Sequence, residues 1–163
     1  MTGELPAVAA RPTGLRRLGA AAGVVVAVVV VDQLTKWWAV DRLSHGSIHL
    51  IGTLDLQLSL NTGSAFSLLQ GQDALLVVVA VVLVTGLSLL VWRAPTTARA
   101  ATLGLIIGGA LGNLSDRLFR GDHGAVVDFV ALHFWPTFNV ADASIVVGCA
   151  LLVISLFLEA RPR

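Results

Sequence analysis

Ala74 to Trp92 is a run of 19 residues without a charged side chain. As a helix rising 1.5 Å per residue it crosses a hydrocarbon layer roughly 30 Å thick, and in that layer a helix satisfies its backbone hydrogen bonds by itself. Three further runs, about Leu18 to Val40, Ala98 to Leu118 and Asn139 to Leu158, are apolar through their middles. The whole composition agrees: 56% hydrophobic residues, 13% charged residues and a mean hydropathy of +0.84 exclude a soluble domain. The Leu18 to Val31 stretch after Arg16 and Arg17 has the look of a secretory-signal core, yet it leads into DQLTKWWAV with no small-residue cleavage site. It is read as a retained helix.

The expected architecture is therefore an all-α membrane protein with four transmembrane helices, forming a single membrane-embedded domain over residues 1–163. Residues 1–17, with Pro6, Pro12 and three arginines, read as a mobile cytoplasmic tail. Between the first two helices, IHLIGTLDLQLSL (Ile48 to Leu60) alternates apolar and polar residues, which predicts a small half-buried sheet outside the membrane. Leu118 to Phe138 is expected as an interfacial loop or short helix, with a reversal at Trp135-Pro136. Gly108 and Gly112 have the spacing that lets membrane helices pack closely.

Four spans put both termini on one side. Seven arginines (11, 16, 17, 93, 99, 161 and 163) fall there, against Lys36, Arg42, Arg117 and Arg120 on the other, so the termini are expected in the cytoplasm. The basic residues form no block that would track a nucleic-acid backbone, so nucleic acid is not an expected partner. Cys149 is the single cysteine, which leaves no internal disulfide and no CxxC site.

On this topology Asp32, Asn61, Asp116, Asp128 and Asp142 reach one depth, near the outer face. A carboxylate beside apolar spans costs several kcal/mol unless it is paired or used, which makes the group a candidate site. Asn113, Asp116 and Arg117 share one face of the third helix, and Asn139 and Asp142 share one face of the fourth. Asp128 and Asp142 can meet if the chain between them turns back. Two carboxylates a few ångströms apart keep one proton between them, the arrangement that amide hydrolysis by water requires. Simpler roles stand beside this one. Asp32 with Lys36, and Asp116 with Arg117, suit ion pairs at helix ends; Asp128 suits an interfacial loop and Asp142 a helix N-terminus. No serine is tied to Lys36 by spacing, and His45, His49, His123 and His133 show no regular metal-ligand spacing. A small transporter or channel subunit using outer-leaflet acids is the alternative, but it calls for acids at several depths. A non-enzymatic assembly factor needs no two acids in register.

The segments DQLTK (Asp32 to Lys36), NTGSAF (Asn61 to Phe66), GGALGNLSDR (Gly108 to Arg117), VVDF (Val126 to Phe129) and FNVAD (Phe138 to Asp142) occur in an order that resembles the lipoprotein signal peptidases, signal peptidase II. The resemblance implies an intramembrane aspartic endopeptidase of the bacterial inner membrane. It would remove the signal peptide from prolipoproteins just before a diacylglyceryl-modified cysteine. It implies Asp128 and Asp142 as catalytic residues; Asn61, Asn113, Arg117 and Asn139 as substrate-binding; and Asp32, Lys36 and Asp116 as supporting residues. No metal or cofactor is implied. The expected partners are the lipidated precursor, membrane lipid and the inhibitor globomycin, and a monomer is expected.

Overall fold

The computed structural model describes residues 13–62, 73–121 and 124–160. Residues 1–12 of the expected tail, Gly63 to Phe66 of NTGSAF, His123, Arg161 and Arg163 lie outside the described residues. Helices α1 (Thr13–Leu43), α2 (Asp73–Arg93), α3 (Thr97–Phe119) and α4 (Val140–Glu159) enclose a core, and strands β1 (Ile48–Ile51), β2 (Leu54–Asn61), β3 (Val126–Leu132) and β4 (Trp135–Phe138) make one antiparallel sheet in that order.

Three of the helices, α1, α2 and α4, are long and apolar enough to cross a membrane. Their outward side chains, among them Val78, Val82, Trp92 and Phe157, are exposed, as suits surfaces covered by lipid. Helix α3 is different because it packs extensively against all three of the others, α1 and α4 above all. Protein surrounds it, so glycines and polar residues replace the large aliphatic ones. Gly104, Gly108 and Gly112 follow one another at intervals of four and approach Ala21, Val28 and Asp32 of α1, while Gly109 approaches Ala141 and Ser144 of α4. At the opposite end from the acids, Arg99 of α3 donates to Glu159 (2.7 Å) and Ser155 (3.0 Å) of α4, so these two helices run antiparallel along their whole length.

Helix α1 begins earlier than the composition of the tail implied. Thr13 to Arg17 belong to it, so the expected mobile segment is helical from Thr13 onward. The sheet, too, is larger than expected. Strands β1 and β2 occupy the alternating segment, joined at Gly52, whose φ of 57° suits a tight reversal. Between Leu118 and Phe138, however, the chain forms β3 and β4 rather than an interfacial loop or short helix. Val126 to Phe129 are all buried, so VVDF has no polar face and no alternation to betray it. The reversal lies at His133-Phe134, two residues before the expected place, and Trp135-Pro136 sits inside β4. Proline is tolerated there because β4 is an edge strand. Asp55 on β2 bridges His49 (2.6 Å) and His133 (3.1 Å), and the two imidazoles hold its carboxyl below the usual carboxylate range.

A methyl group at Gly109 would run into the Ala141 carbonyl oxygen and stand 2.5 Å from Ser144 Oγ, whereas one at Gly86 on α2 would meet open space. Gly109→Ala is expected to lose about 1–3 kcal/mol of stability in a detergent unfolding titration. Gly86→Ala should lose none; equal behaviour of the two variants would contradict close packing of α3 on α4.

Candidate active site

Two polar clusters lie side by side where the helices meet the sheet. The first surrounds Lys36, which is fully buried with Asp32 and Asp116. Its ammonium has three N–H donors and finds three oxygens: Asp32 Oδ2 at 2.8 Å, Asp116 Oδ2 at 2.9 Å and Asn113 Oδ1 at 3.0 Å. Asp32 and Lys36 meet because they are four residues apart on one helix face. The other oxygens are also occupied. Asp32 Oδ1 accepts the backbone N–H of Ala141 at 2.9 Å, and Asp116 accepts Val127 N–H (3.1 Å), Gln33 Nε2 (3.0 Å) and Arg120 Nε (3.0 Å). One buried cluster thus fastens α1, α3, β3 and the start of α4 to each other.

The ion-pair partner of Asp116 is therefore not its neighbour Arg117 but Lys36 and Arg120. Residues at i and i+4 share a helix face and those at i and i+1 do not, which favours Arg120. Arg117 instead donates to the Gly124 carbonyl at 3.0 Å and secures the approach to β3. Gln33 and Arg120, joined to each other at 3.1 Å, were not legible as site residues. The i, i+4 spacing of Asp116 and Arg120 was the one available signal for them.

The second cluster holds Asp128 and Asp142. Asp142 stands in the first turn of α4, where Asn139 caps the helix: Asn139 Oδ1 accepts the Asp142 backbone N–H at 2.9 Å, and Asp142 Oδ2 accepts the Asn139 backbone N–H at 3.2 Å. This capping box turns the other carboxylate oxygen, Oδ1, toward Asn113 Nδ2 at 2.8 Å. Asp128 arrives on β3. Its Oδ1 accepts Asn139 Nδ2 at 2.7 Å and its Oδ2 accepts Asn61 Nδ2 at 3.0 Å. Asn61 is within reach because the sheet register sets it opposite Val126, two residues before Asp128 and on the same face. Asn139, completely buried, thus touches both acids, one through its cap and one through its amide nitrogen.

Asp128 is only 2% exposed. Burial raises its pKa, the charge of Asp142 adds to that, and the amides of Asn61 and Asn139 oppose it; the balance is about 6. An apolar groove of about 420 Å³ opens beside the pair, walled by Leu132, Trp135, Phe138, Asp142 and Val146 among others. Among the described residues no group of three or more His, Cys, Asp and Glu side chains is arranged to hold a metal ion. The nine polar residues singled out from the sequence thus fall into two neighbouring groups: Asp32, Lys36 and Asp116 with Asn113 in one, and Asp128, Asp142, Asn61 and Asn139 in the other. Arg117 lies beside them at the Gly124 carbonyl.

Two solved structures share this fold, both described as bacterial membrane enzymes: one is 25% identical with a TM-score of 0.75, covering 89% of this chain and 93% of that one, and the other is 27% identical with a TM-score of 0.76, covering 85% and 92%. Apolar helices, a small sheet and buried acids thus define a multi-pass membrane enzyme. Residues 24–158 match the family described as Signal peptidase (SPase) II. The lipoprotein signal peptidase of Rhodococcus jostii is 46% identical over 150 residues (86% of this chain, 72% of the relative), and that of Syntrophomonas wolfei is 40% identical over 137 residues (82% and 90%). The chain belongs to the signal peptidase II family, the aspartic peptidases that process lipoproteins.

Lys36→Met leaves Asp32 and Asp116 buried with less compensating charge. It is expected to cost about 3–5 kcal/mol of stability, measured by thermal or denaturant unfolding in detergent. The double variant Lys36→Met with Asp32→Asn strands no acid, because Asp116 keeps Arg120, and should recover most of that loss.

Proposed function

We propose that the chain cleaves the signal peptide from diacylglyceryl-modified prolipoproteins just before the lipidated cysteine, with Asp128 and Asp142 as the reacting pair. The observation that carries this reading is the meeting of both carboxylates on one buried amide, Asn139, beside an apolar groove. Two neighbouring carboxyls share one proton and titrate as a unit. The ionised member draws a proton from water, whose oxygen attacks the scissile carbonyl carbon. The protonated member hydrogen-bonds to the carbonyl oxygen and stabilises the tetrahedral intermediate. Breaking the C–N bond then delivers a proton to the new amine of the lipidated cysteine. Asn61, Asn113, Asn139 and Arg117 orient the acids and the polar groups of the substrate. Asp32, Lys36 and Asp116 support them from below.

The membrane arrangement belongs to the same proposal. Helix α3, with 23 residues, is about as long as a hydrocarbon layer is thick, and it runs antiparallel to α4 from Arg99–Glu159 at one end to Asn113–Asp142 at the other. It is the fourth span. With the termini in the cytoplasm, as the arginine distribution requires, the acids lie near the outer face of the inner membrane. A diacylglyceryl group then confines the cleavage site to that interface, which replaces a search in three dimensions by one in a plane. The chain acts as a monomer among membrane lipids, and globomycin inhibits it. The acids gather at one depth instead of lining a path through the bilayer, which disfavours a transporter.

Asp128→Asn and Asp142→Asn should each lower turnover of a lipidated precursor by about 10³-fold or more while leaving the protein inserted, read by gel shift of the precursor and by membrane fractionation. Near-normal turnover in either variant would remove the pair from the reaction. Because Asp128 holds a proton below about pH 6, kcat/KM is expected to fall as pH rises through that value, when the second proton of the pair is lost.

A further inference from the structure

The two polar clusters are joined through a single amide, Asn113. Its Oδ1 faces the Lys36 ammonium at 3.0 Å. An ammonium has no lone pair to offer, so the atom facing it must be the oxygen, and the Asn113 amide cannot turn over. Its Nδ2 is thereby held against Asp142 Oδ1 at 2.8 Å as a fixed donor. Asp142 Oδ2 faces a second fixed donor, the backbone N–H of Asn139 at 3.2 Å, and the carboxylate lies in the first turn of α4, where the helix dipole favours negative charge. Asp128 is placed otherwise. It sits on a strand, is 2% exposed, and receives two side-chain amides with no helix end behind it.

From this geometry we infer that Lys36, which touches neither reacting acid, is a positioning residue: through Asn113 it makes Asp142 the ionised, water-activating member of the pair and leaves the proton on Asp128. The inference rests on the proposed pairing of Asp128 with Asp142. The charged groups brought to this place are Lys36 and Asp32 from α1, Asp116 and Arg117 from α3, and Asp128 from β3. Asp116 and Asp32 together outweigh one lysine in formal charge. Arg120 pairs with Asp116 from the far side at 3.0 Å, so the cluster as a whole is balanced. The direction of the Asn113 dipole, rather than a surplus of positive charge, is what reaches Asp142.

The test is the pH dependence of kcat/KM on a synthetic lipopeptide with a diacylglyceryl cysteine, the purified full chain being reconstituted in lipid. If Asp142 acts in its ionised form, activity is lost on the acid side as the pair takes up a second proton, and on the alkaline side as it gives up its last. Two proteins weaken the support for Asp142: Lys36→Met with Asp32→Asn, which strands no buried acid, and Asn113→Ala, which keeps both ion pairs of the lysine. Both are expected to move the acid limb to higher pH by about one unit, giving about tenfold lower kcat/KM on that limb; the lysine variant moves the alkaline limb upward by less, because the Lys36 charge also favours ionised Asp128. A third protein, Asn61→Ala, removes a donor to Asp128 alone and should move only the alkaline limb, also upward. Larger movement of the alkaline limb than of the acid limb by the first two proteins would reverse the roles of the acids. A uniform loss at every pH, with both limbs in place, would reduce Lys36 to a structural residue. Near-normal turnover in Asp142→Asn would instead overturn the pairing on which the inference rests, so the two failures are distinguishable.

Discussion

A lysine ammonium buried between two carboxylates is the contact on which the remaining geometry depends. Lys36 lies on α1, Asp116 on α3, and its two partners also hold Ala141 at the head of α4, through Asp32 Oδ1, and Val127 on β3, through Asp116 Oδ2. Moving a charge into such a place is expensive, and its removal from one side leaves the other uncompensated. The cluster therefore works as a registry device as much as a source of stability. Every element that bears a site residue is tied to it directly or, for β2, through the sheet. Because its hydrogen bonds are directional, it sets the rotation of α3 and the height of α4 together, which aliphatic packing would leave free to slide.

On that frame the acids are placed by two local devices. The capping box of α4 turns Asp142 inward, and a β-sheet register carries Asp128 and Asn61 to the same face. The strand β4 connects them, for it ends at Phe138 and hands the chain to Asn139, the cap. Asn139 is thus a cap, a donor to Asp128 and the link between the sheet and the last helix. An acid pair built this way has few loose joints. Asp128 sits within β3 between buried neighbours and Asp142 in the first turn of α4, with an apolar groove beside them.

Much of this was legible beforehand. The charge-free stretch around α2 and the apolar run of α4 left no choice but membrane helices, and the spacing of Asp32 with Lys36 and of Asn139 with Asp142 predicted shared helix faces. The strands β3 and β4 were not legible. Val126 to Phe129 is covered on both sides, so the period of two that reveals β2 is missing, and a proline within β4 looked like a turn. Nor did the partners of Asp116 follow from spacing. Arg117 is adjacent in sequence but points to the Gly124 carbonyl, while Lys36 comes from another helix and Gln33 from the residue after an acid already counted.

Sequence by itself determined that the chain enters a membrane, which residues bear charge there, and through five ordered motifs which family it joins. Those properties depend on transfer energies and local spacing, and both are functions of short segments. Tertiary structure decided which oxygen faces which nitrogen. That Asp128 meets Asn139, that Lys36 reaches Asn113, and that Gly109 lets α4 approach α3 closely are consequences of contacts between segments distant in the chain. The arrangement of Asp128 and Asp142 exists only where the sheet, the cap and the lysine cluster are satisfied at once.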